Sequence, residues 1–423
     1  MNASTSTMPT ALIVLILALL LGLQPITTDF YLPALPALSE GFGASMAQTQ
    51  LTLTALLLAF GLSQLVWGPL SDRFGRRPVL LWGMGLYTLA SMAIVLAPSM
   101  PWLIGIRMVQ GIAMGAGVMC ARALVRDLYE PVAGANAMSK GLSGLGVIAC
   151  LSAPLGGLLS DWFGWRLAML TLALFGVATL LLIVFKFKES IRAVNPHALQ
   201  PQRLAGQWRE IMGNPTFLAF SALSAASYGG LFTFLASSSF VFIKVLGFSK
   251  TQYGLVMFSM SFVYILSTLM CRRLLPLFGV KRTVAIGGGL SLAGGSVMAA
   301  LAYAGLHYPS LQNGWAIMLP FYLFMLGHGI HQPCSQSGAV GPFPHAAGTA
   351  SALNGFMMMV AAFAMGGWLG AHIDGTIWPL VLGVWFWSAC IALSAWVLVG
   401  KYTETPKIIA AQAHPVSVSS IKK

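Results

Sequence analysis

The stretch GPLSDRFGRRP, Gly68 to Pro78, joins two long apolar runs, Gln48–Leu70 and Val79–Ala97. A turn this tight calls for the conformational freedom of Gly75. Asp72 lies near a helix end, where a carboxylate can face a positive helix N-terminus or an arginine. Arg76 can pair with a carboxylate such as Asp127, in the next basic gap. Alternatively Arg73, Arg76 and Arg77 serve only as topology anchors.

Working outward, 57% of the 423 residues are hydrophobic and only 8% are charged, against about 25% in ordinary soluble domains. Mean hydropathy is +0.81. Such a chain cannot cover a water-facing surface, and apolar runs of about 20 residues suit membrane helices. Barrel strands would instead alternate apolar with polar residues, which these runs do not. The net charge of +13 comes from clusters in short gaps between apolar runs, so it predicts membrane orientation rather than a nucleic-acid partner. Cys120, Cys150, Cys271, Cys334 and Cys390 have no metal or disulfide spacing.

The runs predict an all-α polytopic membrane protein with about twelve transmembrane helices. After Gln48–Leu70 and Val79–Ala97 come Pro101–Leu124, Ala137–Ser160 and Arg166–Phe185. The second set is Thr216–Ile243, Tyr253–Leu275, Thr283–Leu306, Trp315–Gly338, Ala346–Ile373 and Thr376–Val399, and the first span is Ala11–Pro36. Residues 1–187 are expected to form one six-helix bundle and 216–400 another, with a polar cytoplasmic linker at 188–215 and a disordered tail at 401–423. The N-terminal ten residues read as a short tail rather than a signal peptide. Lys and Arg collect in alternate gaps and in the linker, leaving only Arg166, Lys244 and Lys250 in the others. This places both termini in the cytoplasm. The halves echo each other: RFGRR (Arg73–Arg77) with LFGVKR (Leu277–Arg282), and PLGG (Pro154–Gly157) with AMGG (Ala364–Gly367). Two six-helix halves around a central cavity follow from that repetition.

GPLSDRFGRRP resembles the loop-2/3 signature of the major facilitator superfamily. RMVQGIAMGAG (Arg107–Gly117) resembles the span-four motif of its proton-coupled members, and Pro154, Gly156 and Gly157 resemble the end of the antiporter motif in span five. TTDFYLPALP (Thr27–Pro36) and RALVRDLY (Arg122–Tyr129) are similar to the Bcr/CflA branch, the bicyclomycin and chloramphenicol resistance type. The resemblance implies an inner-membrane drug:proton antiporter, acting as a monomer on small amphipathic compounds. It also implies a cytoplasmic gate, with Asp72 facing the start of span eleven and Arg76 paired to Asp127, made when the inner side closes and broken when it opens. Two positions depart from the pattern: Ala153 stands where the antiporter motif has glycine, and Pro276 stands about where Asp72 would repeat.

A charged side chain within a membrane helix costs about 2.5–3.5 kcal/mol on insertion scales. Asp29 is nevertheless set in the first span, roughly 10 Å below the outer surface at 1.5 Å per residue. Arg107 enters span four at nearly the same depth. The two could meet directly or through Gln24 or Gln110. Pro33 cannot donate to the carbonyl of Asp29 and crowds it, so the helix should weaken at the acid. Asp29 then reads either as a proton-carrying carboxylate or as half of a permanent ion pair.

His328, His331 and Gln332, in span ten, could titrate or bind substrate, or could satisfy backbone groups freed by Pro333. Tyr31, Tyr228, Phe232, Phe234, Asn354 and Met357 complete the candidate pocket. Motifs for nucleotide binding, metalloprotease or esterase chemistry are absent, so neither an enzyme nor an ATP-driven pump is expected, and no cofactor or metal. The expected partners are a small-molecule drug or metabolite, protons and the lipid bilayer. Alternatives within the same fold are export or symport of an amino acid or short peptide. A sensor without flux would call for a soluble output domain.

Overall fold

The computed structural model describes residues 8–129, 131–191, 194–308, 310, 312–343, 346–372 and 374–402. The first half is built from α1 (Thr10–Thr28), α2 (Leu35–Gly41), α3 (Met46–Phe74), α4 (Arg76–Val95), α5 (Met100–Leu128) and α6 (Pro131–Lys186). α7 (Pro201–Met212) lies in the linker. The second half is α8 (Pro215–Phe240), α9 (Lys250–Gly305), α10 (Gly314–Val340), α11 (Ala347–His372) and α12 (Trp378–Leu393). Among the described residues no strand occurs.

Nine described stretches are long and apolar enough to cross a membrane. α6 and α9, at 56 residues each, would be about 84 Å long if straight, nearly three bilayer cores. Each is interrupted by a glycine of positive φ, Gly164 (77°) and Gly279 (68°), and so supplies two crossings. With α10, 27 residues long, the described helices provide the twelve expected crossings.

Local chemistry explains where helices begin. Ser45 caps α3 and Ser249 caps α9, each exchanging hydrogen bonds with a glutamine three residues on, Gln48 and Gln252. Ser99, Asn214 and Asn313 cap α5, α8 and α10. Gly75 turns between α3 and α4 with φ 97°, the left-handed geometry that glycine tolerates. The caps and turns repeat at one separation, 45 to 249, 48 to 252 and 75 to 279, so the echo read in the sequence is also an echo of backbone geometry.

The first span is not one helix from Ala11 to Pro36. α1 stops at Thr28, a 3₁₀ turn covers Leu32–Ala34, and α2 follows. The break falls immediately before Asp29, where Pro33 leaves no donor for the next turn. The linker likewise contains α7, whose Ile211 is buried, where sequence reading gave only a polar connection. The tail beyond Tyr402 lies outside the described residues.

The two ends of the bundle differ. At the end carrying α2 and the Gly164 bend, the halves are fastened together. Lys244 pairs with Glu40, Lys250 lies 3.8 Å from Asp161, and the Thr251 hydroxyl donates to Asp161 at 2.7 Å. A methyl on Gly157 would overlap the Lys250 carbonyl, and one on Gly254 would come within 2.7 Å of Pro154. At the basic end, beside the α3–α4 turn, a cavity of about 690 Å³ opens between α3, α5, α7 and the start of α11.

Candidate functional site

The break in α1 creates the polar centre of the first half. The Tyr31 N–H goes to the Thr28 carbonyl (3.2 Å) instead of continuing the helix to Thr27. The Thr27 carbonyl is left to accept from Arg107 Nη2 at 3.2 Å. Arg107 is fully buried in α5. Its Nη1 donates to Gln110 Oε1 (2.7 Å), its Nε to the Thr52 carbonyl (3.4 Å), and its guanidinium lies 4.0 Å from the centre of the Tyr31 ring. A planar, five-donor cation fits such a set of carbonyl, amide and ring partners, where an ammonium would not. Gln110 Nε2 passes the network to Ser91 (2.8 Å), and Tyr31 donates to Thr52 Oγ1 (2.7 Å). Tyr87, which sequence reading missed, joins through Thr27 Oγ1 at 2.7 Å.

Asp29 is half-buried between the buried residues Thr28 and Phe30. The Thr28 hydroxyl donates to its carboxylate at 2.8 Å, and it belongs to no ion pair among the described residues. The permanent Asp29–Arg107 pair considered from the sequence is therefore absent. Arg107 compensates its charge on the carbonyl freed by the break and on Tyr31. Nor does either glutamine relay the two: Gln24 Nε2 turns to the Tyr228 hydroxyl of the second half, at 3.1 Å.

In the second half an aromatic column replaces the polar centre. Counted from the caps Ser99 and Asn313, the position equivalent to Arg107 is Phe321. Its ring stacks on Phe234 (3.9 Å between centres) and on Phe324 (5.2 Å), and Phe324 stacks on His328 (6.5 Å). His328 Nδ1 meets the Ser227 hydroxyl at 2.9 Å, and His331 Nε2 meets the Val284 carbonyl at 3.3 Å. Both histidines thus bond to neighbouring helices, not to groups freed by Pro333. Phe232 packs by Gly366, Asn354 donates to Ser224 (3.5 Å), Gln332 accepts from Gln336 (3.5 Å), and Met357 packs against the core. These residues are spread over α8, α10 and α11 of the second half, and Tyr228 accepts from Gln24 of α1.

At the basic end Arg76 is 2% exposed and is held by Asp72 (2.7 Å), Asp127 (2.9 Å) and the Ser71 hydroxyl (2.6 Å). Arg126 stands 3.7 Å from Asp72. Arg73 donates to the Pro196 carbonyl (2.6 Å), Arg77 to the Phe187 and Val184 carbonyls (3.0 Å each), and Gly68 faces Met119. The Arg76–Asp127 bond expected from the resemblance is present. It lies wholly inside the first half, between the start of α4 and the end of α5. Asp72 faces the start of α11 across the cavity instead of touching it. Sequence reading also missed Glu189, whose carboxylate accepts from the Arg76 and Arg77 N–H groups at 2.9 Å each. It caps α4 from more than a hundred residues away. Pro154, Gly156 and Gly157 do structural work at the other end: a methyl on Gly156 would overlap the Phe30 carbonyl, beside Asp29. Among the described residues no group of three or more His, Cys, Asp or Glu is arranged to hold a metal.

Twelve apolar crossings in two repeated halves, with ionisable groups enclosed at mid-bundle, define a membrane transporter architecture. Residues 17–366 match the Major Facilitator Superfamily, and the chain belongs to that family. It is 29% identical over 359 residues to multidrug resistance protein D of Escherichia coli K12, covering 83% of this chain and 86% of that protein. It is 29% identical over 385 residues to a chloramphenicol resistance protein of Pseudomonas aeruginosa (88% and 85% covered). It is 25% identical over 398 residues to a bicyclomycin resistance protein homolog of Haemophilus influenzae (93% and 96% covered). These relatives are of the Bcr/CflA type that the motifs resemble. Among solved structures, a D-xylose-proton symporter superposes with a TM-score of 0.70 at 17% identity, covering 92% of this chain and 96% of the symporter, a likeness of fold.

Proposed function

We propose that this protein is a secondary transporter that exports small amphipathic compounds, of the chloramphenicol or bicyclomycin kind, in exchange for protons. The names of its relatives support the substrate class. The observation that carries proton coupling is Asp29: a carboxyl set in the break of α1, with the Thr28 hydroxyl beside it and no ion-pair partner among the described residues. An unpaired carboxylate at that depth is costly, so the acid gains by holding a proton. A proton arriving from outside neutralises the site and releases the compound; a compound arriving from inside displaces the proton. Arg107 holds the broken segment in place through Thr27 and Tyr31.

The basic end faces the cytoplasm, and both termini with it, in keeping with the positive-inside rule. The protein works as a monomer in the inner membrane, in contact with lipid, and carries out no covalent chemistry. The sealed end is then the outer one, and the basic-end cavity is the way in from the cytoplasm. The test is flux in proteoliposomes under an imposed pH gradient. Chloramphenicol should move against the proton, at a rate that collapses when the gradient is dissipated. Movement of an amino acid with the proton would identify a symporter instead, and absence of any flux would point to a sensor.

A further inference from the structure

The basic-end cavity, about 690 Å³, is large enough for a drug-sized molecule. Of the α3 residues that line it, Gln64 lies farthest from the Gly68–Pro78 loop. Gln64 is 2% exposed, and its Oε1 accepts no hydrogen bond among the described residues. A buried carbonyl oxygen without a donor has given up water and gained nothing in exchange. The protein around it offers no donor. Gly355 of α11 faces the amide, where a Cβ would stand 3.0 Å from Oε1, and the N–H groups within a helix are spent on the helix itself. Arg122, on the same wall, turns its Nη1 to the Ser351 hydroxyl at 3.0 Å. Asn354, one position before that glycine, repeats the pattern independently. It is 3% exposed, its Nδ2 goes to Ser224 Oγ of α8 (3.5 Å), and its Oδ1 has no partner. Two buried amide oxygens, on helices that pack together, thus lack a donor at one level of the bundle. The rest of the lining sets the kind of donor. Leu65, Met119, Ala123 and Ala352 present apolar surface. Arg76, Arg122, Arg126 and Arg203 share the wall with one acid, Asp72, which Arg76 holds at 2.7 Å. That excess of positive charge repels a cationic donor and leaves a neutral one free to enter.

We propose that Gln64 is the specificity-determining contact of this cavity: its Oε1 accepts a hydrogen bond from a neutral hydroxyl carried on an apolar body. Asn354 Oδ1 offers a second acceptor beside it. The inference rests on the export reading and names what the site selects, which is an uncharged, hydroxyl-bearing amphiphile over an equally apolar compound that lacks the donor.

The test is binding to the purified full chain in phosphatidylcholine nanodiscs without a pH gradient, read by equilibrium dialysis with two neutral probes. Thiamphenicol and florfenicol differ in one group: florfenicol carries fluorine in place of the primary hydroxyl of thiamphenicol. Wild type should bind thiamphenicol about tenfold more tightly, the value of one hydrogen bond to an acceptor otherwise left bare. Gln64→Leu should bind both compounds alike, at about the florfenicol affinity of wild type. Gln64→Met, which keeps the length of the side chain without the amide oxygen, should do the same, and a thermal melt identifies which variants are folded. Equal binding of the two probes by wild type would overturn the site, as would binding of neither. A tenfold preference retained in a folded Gln64 variant would also overturn it, and would leave the Gln64 oxygen to a buried water. Proton-driven chloramphenicol flux is measured separately. Loss of the hydroxyl preference with flux intact sinks this site alone, and loss of flux with the preference intact sinks the export reading alone.

Discussion

Arg107 and Asp29 were legible as candidates because charge inside an apolar run is conspicuous, but their relationship was not. A sequence records depth along a helix, not which carbonyls a proline upstream of the next turn leaves open. Arg107 is satisfied by exposed backbone, an amide and a ring, and the acid is left to its hydroxyl neighbour. The geometry predicts that Arg107→Lys is not conservative. It keeps the charge but loses the fork that reaches Thr27, Thr52 and Gln110 together. Hydrogen bonds to charged groups contribute about 1.5–3 kcal/mol each, and a lysine recovers only part of that. The variant should melt lower than wild type by an amount corresponding to about 2 kcal/mol, measured by thermal unfolding in detergent. A wild-type melt would mean that the break in α1 does not depend on this residue.

At the scale of elements, crossings were readable from the lengths of the apolar runs. The fasteners between elements were not, because they join residues far apart in the chain. Glu189 capping α4 and the glycine contacts of α6 with α9 are of this kind. α7 was within reach, since Leu204, Trp208 and Ile211 recur at helical spacing in PQRLAGQWREIM. Two predictions belong here. Gly157→Ala drives a methyl into the Lys250 carbonyl and should loosen the sealed end. Spin labels at the exposed positions 162 and 255 should shift to longer distances, and an unchanged distribution would show that the seal does not depend on this contact. Asp127→Asn leaves Arg76, 2% exposed, short of one of its two carboxylates. Breaking a buried pair costs about 3–5 kcal/mol, and the partial exposure of Asp127 places this case at or below the lower figure. The variant should therefore lose stability without changing distances between the halves. Wild-type stability with a changed distance would instead place Asp127 in a gate between the halves.

For the whole molecule, the repeated caps and turns make two similar halves that differ in the side chains at their centres. The first half holds Asp29, Arg107 and the Gly68–Pro78 loop, while the second places Phe321 where Arg107 would be. This asymmetry was partly visible in the sequence, where the strong motifs crowd into the first half. The conformational state was not visible, because it depends on contacts between halves. With one end fastened and a cavity at the other, alternation requires that the Glu40, Asp161 and Gly157 contacts break while the cavity closes. The central claim is that Asp29 carries the proton through this cycle. Its most direct test is proton release on adding chloramphenicol to purified protein in weakly buffered detergent, comparing wild type with Asp29→Asn. Wild type should release protons in proportion to the drug bound, whereas the variant should bind drug, remain folded and release less than a tenth as much. Release of wild-type size from Asp29→Asn would contradict the account.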